Sequence, residues 1–251
     1  MPRQTKWTKS FFREEIFHPG EPAAMQAAPA EAVFVLRALG LRKGGKLLDL
    51  CCGTGRHSFE FARRGMLVTG LDATKEYLSE ARARLGPRVN PVFLLGDMRR
   101  MSCQGEFDAV VNLWTSFGYF EDPADDLRVL EGVRRALKPG GRFLIDLVDA
   151  DWNRRHAHAT SWFRRSDGTL VLEEIAMREG RDPGLRNVWT VLTDGERPRR
   201  AAFFVRSYDK ARLCALLRRA GLEPSKFWGG LEGEPRRPDS RRLVVLARKP
   251  R

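Results

Sequence analysis

The sequence predicts an α/β protein: a doubly wound, mostly parallel sheet of seven strands with an inserted antiparallel β-meander. Three observations lead to this fold class. Short apolar runs alternate with helical segments up to residue 151, four strand-like runs separated by turn residues follow, and a helix with two further strand-like runs ends the chain. Alternation of strands and helices is typical of βαβ units, whose crossovers make neighbouring strands parallel.

Residues 1–29 are interpreted as an N-terminal arm or lid. The arm carries aromatic residues among charged ones before a Pro/Ala-rich stretch, namely Trp7, Phe11 and Phe12. A segment that becomes ordered only when a ligand binds is suited to closing over that ligand. A helix is expected over 30–39, where apolar residues recur at helical spacing and Gly40 supplies the stop.

Residues 30–151 are predicted to form the core of the sheet. Its five strands are short, mostly apolar runs at 47–51, 67–72, 91–96, 107–114 and 142–148. Three helices are expected between them, at 55–64, 75–85 and 123–137. The last helix is followed by Lys138-Pro139-Gly140-Gly141, which is a strong turn sequence.

Residues 152–208 are predicted to be the antiparallel insertion. Its four runs are separated by turn residues and lie at 161–165, 169–177, 186–193 and 199–208. The insertion is expected to be a substrate cap or an oligomer interface, because exposed strand edges favour pairing with a second copy as a homodimer. Residues 209–251 would complete the core with a helix at 209–220 and strands near 224–228 and 242–248.

The chain is strongly basic. Forty-five Lys and Arg residues against thirty-two Asp and Glu give a formal charge of +13, which favours an anionic partner such as nucleic acid. Two observations weaken that inference: 36 of the 45 basic residues are Arg, a bias that a GC-rich genome produces by itself, and the basic residues are dispersed. A nucleic-acid partner is therefore considered but not favoured.

The composition excludes several other classes of protein. With 42% hydrophobic residues the chain can bury a core, which excludes a disordered protein. No run approaches the roughly 18 apolar residues of a membrane span, and the N-terminus lacks a signal peptide, so a cytoplasmic location without membrane contact is expected. Adjacent Cys51 and Cys52 cannot be two legs of an ordinary disulfide framework, and no metal site is expected.

A glycine-containing loop follows the first predicted strand. Asp49 lies within the strand, and Gly53 and Gly55 lie where the strand gives way to a helix. Glycines at this point allow a ligand to approach the backbone, and the N–H groups of the helix N-terminus face the ligand crevice of an open α/β sheet. The third glycine of the dinucleotide fingerprint is replaced by Ser58, which disfavours a nicotinamide oxidoreductase.

Acidic residues end the next two predicted strands. Asp72 ends the second strand, seventeen residues after Gly55, where a carboxylate can accept hydrogen bonds from both hydroxyls of a ribose. Asp97 and Met98 end the third strand, where they could meet the amino group and ring face of an adenine. For each acidic residue alone, a helix N-cap or a solvated loop carboxylate is the simpler interpretation.

Taken together, the motifs resemble those of class I S-adenosylmethionine-dependent methyltransferases. The matching segments occur in the family's order within 47–148: LLDLCCGTGRHS, LDAT, LLGDMRRM, FDAVVNLWTSFGYF and LKPGGRFLIDL. The closing helix and RLVVLARK extend the likeness. The long meander, the aromatic arm and TSFGYF further resemble a small-molecule branch that includes amino-sugar N-methyltransferases.

The resemblance implies a cofactor, S-adenosyl-L-methionine, and a set of residues that hold it. That set is Asp49, Cys51, Gly53, Thr54, Gly55, Asp72, Ala73, Gly96, Asp97, Met98, Asn112 and Leu113. Within it, the resemblance gives Asp49 and the glycine loop to the methionine end, Asp72 to the ribose, Asp97 and Met98 to adenine, and Asn112 and Leu113 to the sulfonium edge.

The acceptor side is predicted from the segment after the fourth strand and from the insertion. Tyr119 is the candidate catalytic residue, for positioning or deprotonating the acceptor, although a half-buried Tyr bonded to backbone is the simpler interpretation. The candidate substrate-binding residues are Trp114, Phe117, Arg206 and Trp228. The predicted function is methyl transfer to an N or O nucleophile of a small molecule; the alternatives are an RNA or protein methyltransferase and a non-catalytic cofactor-binding subunit.

Overall fold

The computed structural model describes residues 11–12, 16–17, 19–86 and 90–251 of the chain. Trp7, which belongs to the predicted arm, lies outside the described residues. Six α-helices are described: α1 (Pro22–Leu39), α2 (Arg56–Arg63), α3 (Lys75–Ala83), α4 (Pro123–Ala136), α5 (Ala150–His156) and α6 (Lys210–Arg219).

The described strands form two sheets. They are β1 (Lys46–Leu50), β2 (Leu67–Asp72), β3 (Val92–Leu95), β4 (Phe107–Asn112), β5 (Leu137–Val148), β6 (Thr160–Arg164), β7 (Leu170–Arg178), β8 (Gly184–Leu192), β9 (Arg199–Arg206), β10 (Glu223–Trp228) and β11 (Arg242–Arg248).

The larger sheet has seven strands in the order β10-β11-β5-β4-β1-β2-β3. Strands β3, β2, β1, β4 and β5 pair with their neighbours in parallel. Strand β11 pairs antiparallel with both β5 and β10. This confirms the predicted fold class. Leu47, Leu48 and Leu50 of the central strand β1 are completely buried, since helices cover both faces of a largely parallel sheet. Two separate hydrophobic clusters, one containing Leu48 and the other Leu47, pack on opposite faces.

The smaller sheet is the inserted meander, with the strand order β6-β7-β8-β9 and antiparallel pairing throughout. One face of it is buried against the arm. Phe11 and Ile16 pack with Val171, Val191 and Phe203 in a separate hydrophobic cluster. The arm therefore packs on the meander, and Phe17 of the arm also accepts a hydrogen bond from Tyr77 of α3, beside the larger sheet.

Three elements differ from the sequence prediction. Helix α1 begins at Pro22 rather than at residue 30, because proline is favoured at the first position of a helix; the predicted boundary after residue 29 lies inside it. Helix α5 was not predicted; the side chain of Asp149 caps it by accepting from the N–H of Asp151.

The third difference is at β5, which begins at Leu137 and includes the predicted turn at 138–141. Leu137 pairs with Phe107, and regular pairing resumes only at Arg142, opposite Ala109. The turn sequence therefore produces an irregularity within the strand rather than a break before it. Among the described helices, none is long and apolar enough to cross a membrane.

Candidate active site

A cavity of about 310 Å³ opens at the carboxyl ends of β1 to β4, which is where ligands bind in open α/β sheets. The structure brings most of the predicted site residues together on its wall. Those lining it are Asp49, Cys51, Gly53, Thr54, Asp72, Ala73, Gly96, Asp97, Met98, Leu113, Trp114 and Tyr119. The remaining predicted residues are Gly55, Asn112, Phe117, Arg206 and Trp228, and they are absent from that wall.

The glycine loop after β1 forms one side of the cavity. Gly53 has a φ of +55°, and a Cβ atom there would lie 3.2 Å from Pro19, which also lines the cavity. Glycine is favoured at such a position because it adopts positive φ without strain. The hydroxyl of Thr54 is buried and has no hydrogen-bond partner among the described residues. The loop therefore offers a ligand in the cavity both its backbone at Gly53 and the Thr54 hydroxyl, which is available for a hydrogen bond.

Two carboxylates frame this loop. Asp49 is 3% exposed and accepts a 2.6 Å hydrogen bond from the hydroxyl of Ser58. Burial raises the pKa of the Asp49 carboxyl. Asp72 accepts from the N–H of Gly53 through Oδ2 and from the N–H of Thr74 through Oδ1, both at 2.8 Å. An ionised carboxylate has about four acceptor positions, so each has capacity left for a ligand donor.

Asp97 lies at the end of the third strand and is paired with the guanidinium of Arg99. Its carboxylate accepts from Nε and Nη2 of Arg99, the latter at 2.6 Å, and Arg99 also reaches Asp125 at 2.9 Å. Burial raises the pKa of Asp97, but the hydrogen bonds and charge of Arg99 outweigh it and hold that pKa below its usual value. The guanidinium lies 4.5 Å from the ring centre of Phe120, on the cavity wall.

A strained turn after β4 also contributes to the cavity wall. Trp114 and Thr115 have φ values of +56° and +58°, which side-chain-bearing residues rarely adopt. The turn is held by Asp146 of β5, whose carboxylate and carbonyl accept from the N–H groups of Trp114 (2.8 Å) and Thr115 (3.0 Å). The turn directs the indole of Trp114, which is 45% exposed, along the cavity wall.

A buried cluster that sequence reasoning missed fixes this indole. Glu31 of α1 accepts from Nε1 of Trp114 at 3.1 Å and bonds Nε2 of His57 at 2.6 Å. Arg56 lies 3.4 Å from the same carboxylate and 4.1 Å over the indole. Burial raises the pKa of Glu31, but His57 and Arg56 outweigh it and hold that pKa below its usual value. These partners come from distant parts of the chain, so no local pattern pointed to Glu31.

Glu31→Ala is expected to lower the free energy of unfolding by about 3–5 kcal/mol, because it leaves a buried guanidinium and two other donors without their acceptor. Thermal denaturation should show a midpoint about 10 °C lower. Glu131→Ala is the matched control, since Glu131 is an exposed helical residue of α4. Equal melting of the two variants, within about 2 °C, would contradict a supporting role for Glu31.

Tyr119 lies on the same wall, packed between the arm and the meander. Its ring centre is 5.4 Å from that of Phe12 and 6.1 Å from that of Phe203. Burial raises the pKa of the Tyr119 phenol well above its usual range. The phenol is therefore neutral at physiological pH, which suits a hydrogen-bonding group and argues against a general base.

Three predicted substrate-binding residues are corrected by the structure. Phe117 is 1% exposed in the main hydrophobic cluster. Arg206 is 4% exposed and pairs with Asp126 at 2.6 Å. Trp228 packs edge-on against Phe34 of α1, with ring centres 5.2 Å apart. Phe117 is therefore a core residue, Arg206 is held in a buried ion pair, and Trp228 packs half-buried against α1.

Two predicted cofactor-binding residues also lie outside the cavity wall. Gly55 caps α2 with a φ of +78°, and a Cβ there would lie 2.6 Å from the ring of Phe93. Gly55 therefore permits close packing of the loop on the sheet. Asn112 is 1% exposed at the end of β4, where its Nδ2 donates to the carbonyl of Leu50 at 3.0 Å. It braces the ends of β1 and β4, directly behind the glycine loop.

Comparison with known proteins identifies the domain that contains this site. Residues 47–141, which include the glycine loop and both acidic strand ends, match a family model described as a methyltransferase domain. The chain carries an S-adenosylmethionine-dependent methyltransferase domain. The predicted family, enzyme class and cofactor are thereby confirmed.

Individual relatives of this methyltransferase domain cover different shares of the chain. The chain is 39% identical to the putative methyltransferase YqeM of Bacillus subtilis, over 43% of this chain and 44% of that protein. It is 26% identical to the dTDP-3-amino-3,4,6-trideoxy-alpha-D-glucopyranose N,N-dimethyltransferase of Streptomyces venezuelae, over 76% of this chain and 81% of that protein.

A solved structure extends the similarity to most of the chain. CalS10, an amino pentose methyltransferase from Micromonospora echinaspora solved with S-adenosylmethionine bound, is 25% identical to this chain. The superposition has a TM-score of 0.64 and covers 90% of this chain and 91% of CalS10. The similarity therefore includes the meander as well as the methyltransferase domain.

The cavity of the methyltransferase domain fits its cofactor chemically. S-adenosylmethionine carries an ammonium, two ribose hydroxyls and an adenine amino group, which are donors that suit carboxylates such as Asp49, Asp72 and Asp97. The buried hydroxyl of Thr54 and the side-chain-free backbone of Gly53 provide a polar partner and a close approach. The assignment of each group to its residue stays a prediction.

Proposed function

We propose that this enzyme transfers the methyl group of S-adenosylmethionine to a nitrogen of a small molecule by in-line displacement. The observation that carries the proposal is the mixed lining of one cavity. Carboxylates and the glycine loop line it together with the aromatic side chains of Trp114, Tyr119 and Phe120. Phe12 and Phe17 of the arm line the cavity as well. This enclosure favours a small-molecule acceptor and disfavours an acceptor group on the surface of a protein or an RNA.

The relatives support nitrogen rather than oxygen as the nucleophile. One relative is named as an N,N-dimethyltransferase of a dTDP-linked amino sugar, and another as an amino pentose methyltransferase. A third, from a Streptomyces species, is named as the cypemycin N-terminal methyltransferase. Their shared feature is a primary or secondary amine, which we take as the acceptor group.

The chemistry of the transfer leaves the protein with few tasks. Bound S-adenosylmethionine supplies a sulfonium methyl group that is already activated for attack by a nitrogen lone pair. The residues of this chain hold the two reactants in line and exclude water. Tyr119 holds its own proton at Oη, where the hydroxyl oxygen can accept a hydrogen bond from the amine N–H. The amine enters as the neutral base, having lost its ammonium proton to solvent beforehand, and the methylated ammonium product loses its proton to solvent after release.

We also propose roles for the parts outside the core. The part of the arm that precedes α1 acts as a lid: the hydroxyl of Tyr77 donates to the carbonyl of Phe17, and Arg165 of the meander donates to the carbonyl of Ile16. Residues 152–208 act as a substrate cap, because their buried face packs against this lid. Residues 30–151 and 209–251 supply the cofactor-binding core.

Titration calorimetry followed by a transfer assay tests the proposal. The purified chain is expected to bind S-adenosylmethionine and S-adenosylhomocysteine at micromolar concentrations and not to bind NADH. It should then move a labelled methyl group to an amine in a panel of amino-sugar nucleotides and small peptides, but not to hydroxyl analogues. Labelling of RNA or of a folded protein instead would overturn the small-molecule acceptor, and cofactor binding without transfer to any class would favour a non-catalytic subunit.

A further inference from the structure

The guanidinium of Arg206, at the end of β9, is buried between two carboxylates. Nη1 donates to Asp126 of α4 at 2.6 Å, and Nε and Nη2 donate to Asp182, which precedes β8. Tyr208 also donates to the carboxylate of Asp126, at 2.6 Å. Charged hydrogen bonds to two carboxylates orient a planar guanidinium tightly. Arg206 is therefore a fixed point that joins the meander to the core.

Arg206 uses its remaining donors on the segment 118–121, between β4 and α4. Its backbone N–H donates to the carbonyl of Gly118 at 2.8 Å. Its Nη2 donates to the carbonyls of Phe120 (3.1 Å) and Glu121 (3.3 Å). One residue therefore holds both ends of the segment, and Tyr119 lies between the two points of attachment.

Gly118 allows the segment 118–121 to approach the backbone of Arg206 closely. It has a φ of +94°, and a Cβ atom there would lie 2.7 Å from the carbonyl oxygen of Arg206. A residue with a side chain would be strained at this φ and would push the segment away from β9. The close fit places the ring of Tyr119 against Phe203 of the same strand, with the centres 6.1 Å apart.

We propose that Arg206 is a positioning residue that fixes segment 118–121 and so sets the place of Tyr119 on the acceptor side of the cavity. Arg206 itself does not line the cavity, so it acts through the segment and not on the acceptor. The proposal rests on the proposed function for the role of Tyr119, but the immobilisation of the segment is measurable without an acceptor.

Arg206→Lys is the first test. Lysine keeps the charge beside Asp126 but lacks the planar fork needed to reach the carboxylates and the carbonyls together. Amide hydrogen exchange within 116–122 is expected to accelerate at least about tenfold, while the dissociation constant for S-adenosylmethionine stays within about twofold. With an acceptor amine, kcat/KM should fall about 10- to 100-fold through misplacement of Tyr119. Arg200→Lys is the control, because Arg200 lies on the same strand, exposed and paired with Glu174.

Gly118→Ala is a second test that leaves the guanidinium and its carboxylates untouched. The added methyl group would meet the backbone of Arg206, so the same local acceleration of exchange and the same loss of kcat/KM are expected. Gly168→Ala is the matched control. Gly168 also has a positive φ, +89°, but a Cβ there would meet no atom within 4 Å, so its variant carries the backbone strain without the clash.

Three results separate the possibilities. Local acceleration of exchange in both test variants, with cofactor affinity retained and acceptor kcat/KM reduced, supports the proposal. Exchange within 116–122 that matches the controls overturns it. Acceleration spread over the whole chain also overturns it, because it marks Arg206 as a general stabilising residue. If the wild-type enzyme methylates no amine, the proposed function fails, and the exchange measurement still decides whether Arg206 immobilises the segment.

Discussion

Asp72→Ala is expected to weaken S-adenosylmethionine binding by about three orders of magnitude. Two hydroxyl bonds to a carboxylate are together worth roughly 3–6 kcal/mol, and the substitution removes both. It also removes the acceptor that holds the N–H groups of Gly53 and Thr74, so the glycine loop loses its fixed shape. Titration calorimetry of the purified variant measures the change directly.

Two controls separate the ribose contact from general damage. Asp72→Asn keeps one acceptor oxygen and the shape of the side chain, so we expect an intermediate affinity. Glu76→Ala removes an exposed carboxylate from α3, four residues along the chain, and should bind like the wild type. Should Asp72→Ala bind within about tenfold of the wild type while remaining folded, the assignment of Asp72 to the ribose would be wrong.

The cofactor side of the cavity could be predicted because its information is local. The glycine loop and Asp72 each follow a strand that apolar runs already mark in the sequence. Once the strands are parallel, their carboxyl ends must meet at one edge of the sheet, whatever the packing elsewhere. Asp49, Gly53, Asp72 and Asp97 consequently reach a common cavity without further information.

The acceptor side could not be predicted in the same way, because its geometry depends on partners far along the chain. Glu31 is separated from Trp114 by 83 residues, and Arg206 from Asp126 by 80. The sequence shows an arginine near a strand end, but only the fold shows that two carboxylates enclose it. The position of Phe117 was predicted wrongly for a similar reason: Trp114 and Thr115 adopt positive φ, which the sequence does not show, and Phe117 after them packs in the core.

Element boundaries show the same division between local and distant information. Helix α6 and strand β11 lie where the sequence placed them, since capping residues and apolar runs define them locally. The early start of α1 is favoured locally by Pro22 and is supported by contacts with α2, such as the bond from Arg56 to the carbonyl of Ala24 at 2.7 Å. Residues 22–29 are rich in alanine and lack an apolar stripe, so periodicity alone did not extend the helix.

Tyr119→Phe is expected to lower kcat/KM for the acceptor amine by about 10- to 100-fold, the value of one well-placed hydrogen bond. The dissociation constant for S-adenosylmethionine should remain within about twofold, because in the proposed function the phenol contacts the acceptor and not the cofactor. Steady-state kinetics with the amine identified in the transfer assay provide the first number, and calorimetry the second. Trp162→Phe, which alters an exposed aromatic residue of β6 (68% exposed), is the control.

The pH profile distinguishes the two roles that Tyr119 could have. Burial raises the pKa of its phenol, so the hydroxyl of the free enzyme is neutral over the working range. If Tyr119 positions the amine, activity rises with pH through the pKa of the amine itself, and Tyr119→Phe lowers the curve without moving its midpoint. If Tyr119 were the base, its removal would eliminate the limb governed by the enzyme's own titration. A pH–activity curve that changes shape in Tyr119→Phe would therefore refute the positioning role. A curve that is lowered at every pH with the same midpoint supports a neutral hydroxyl that positions the amine.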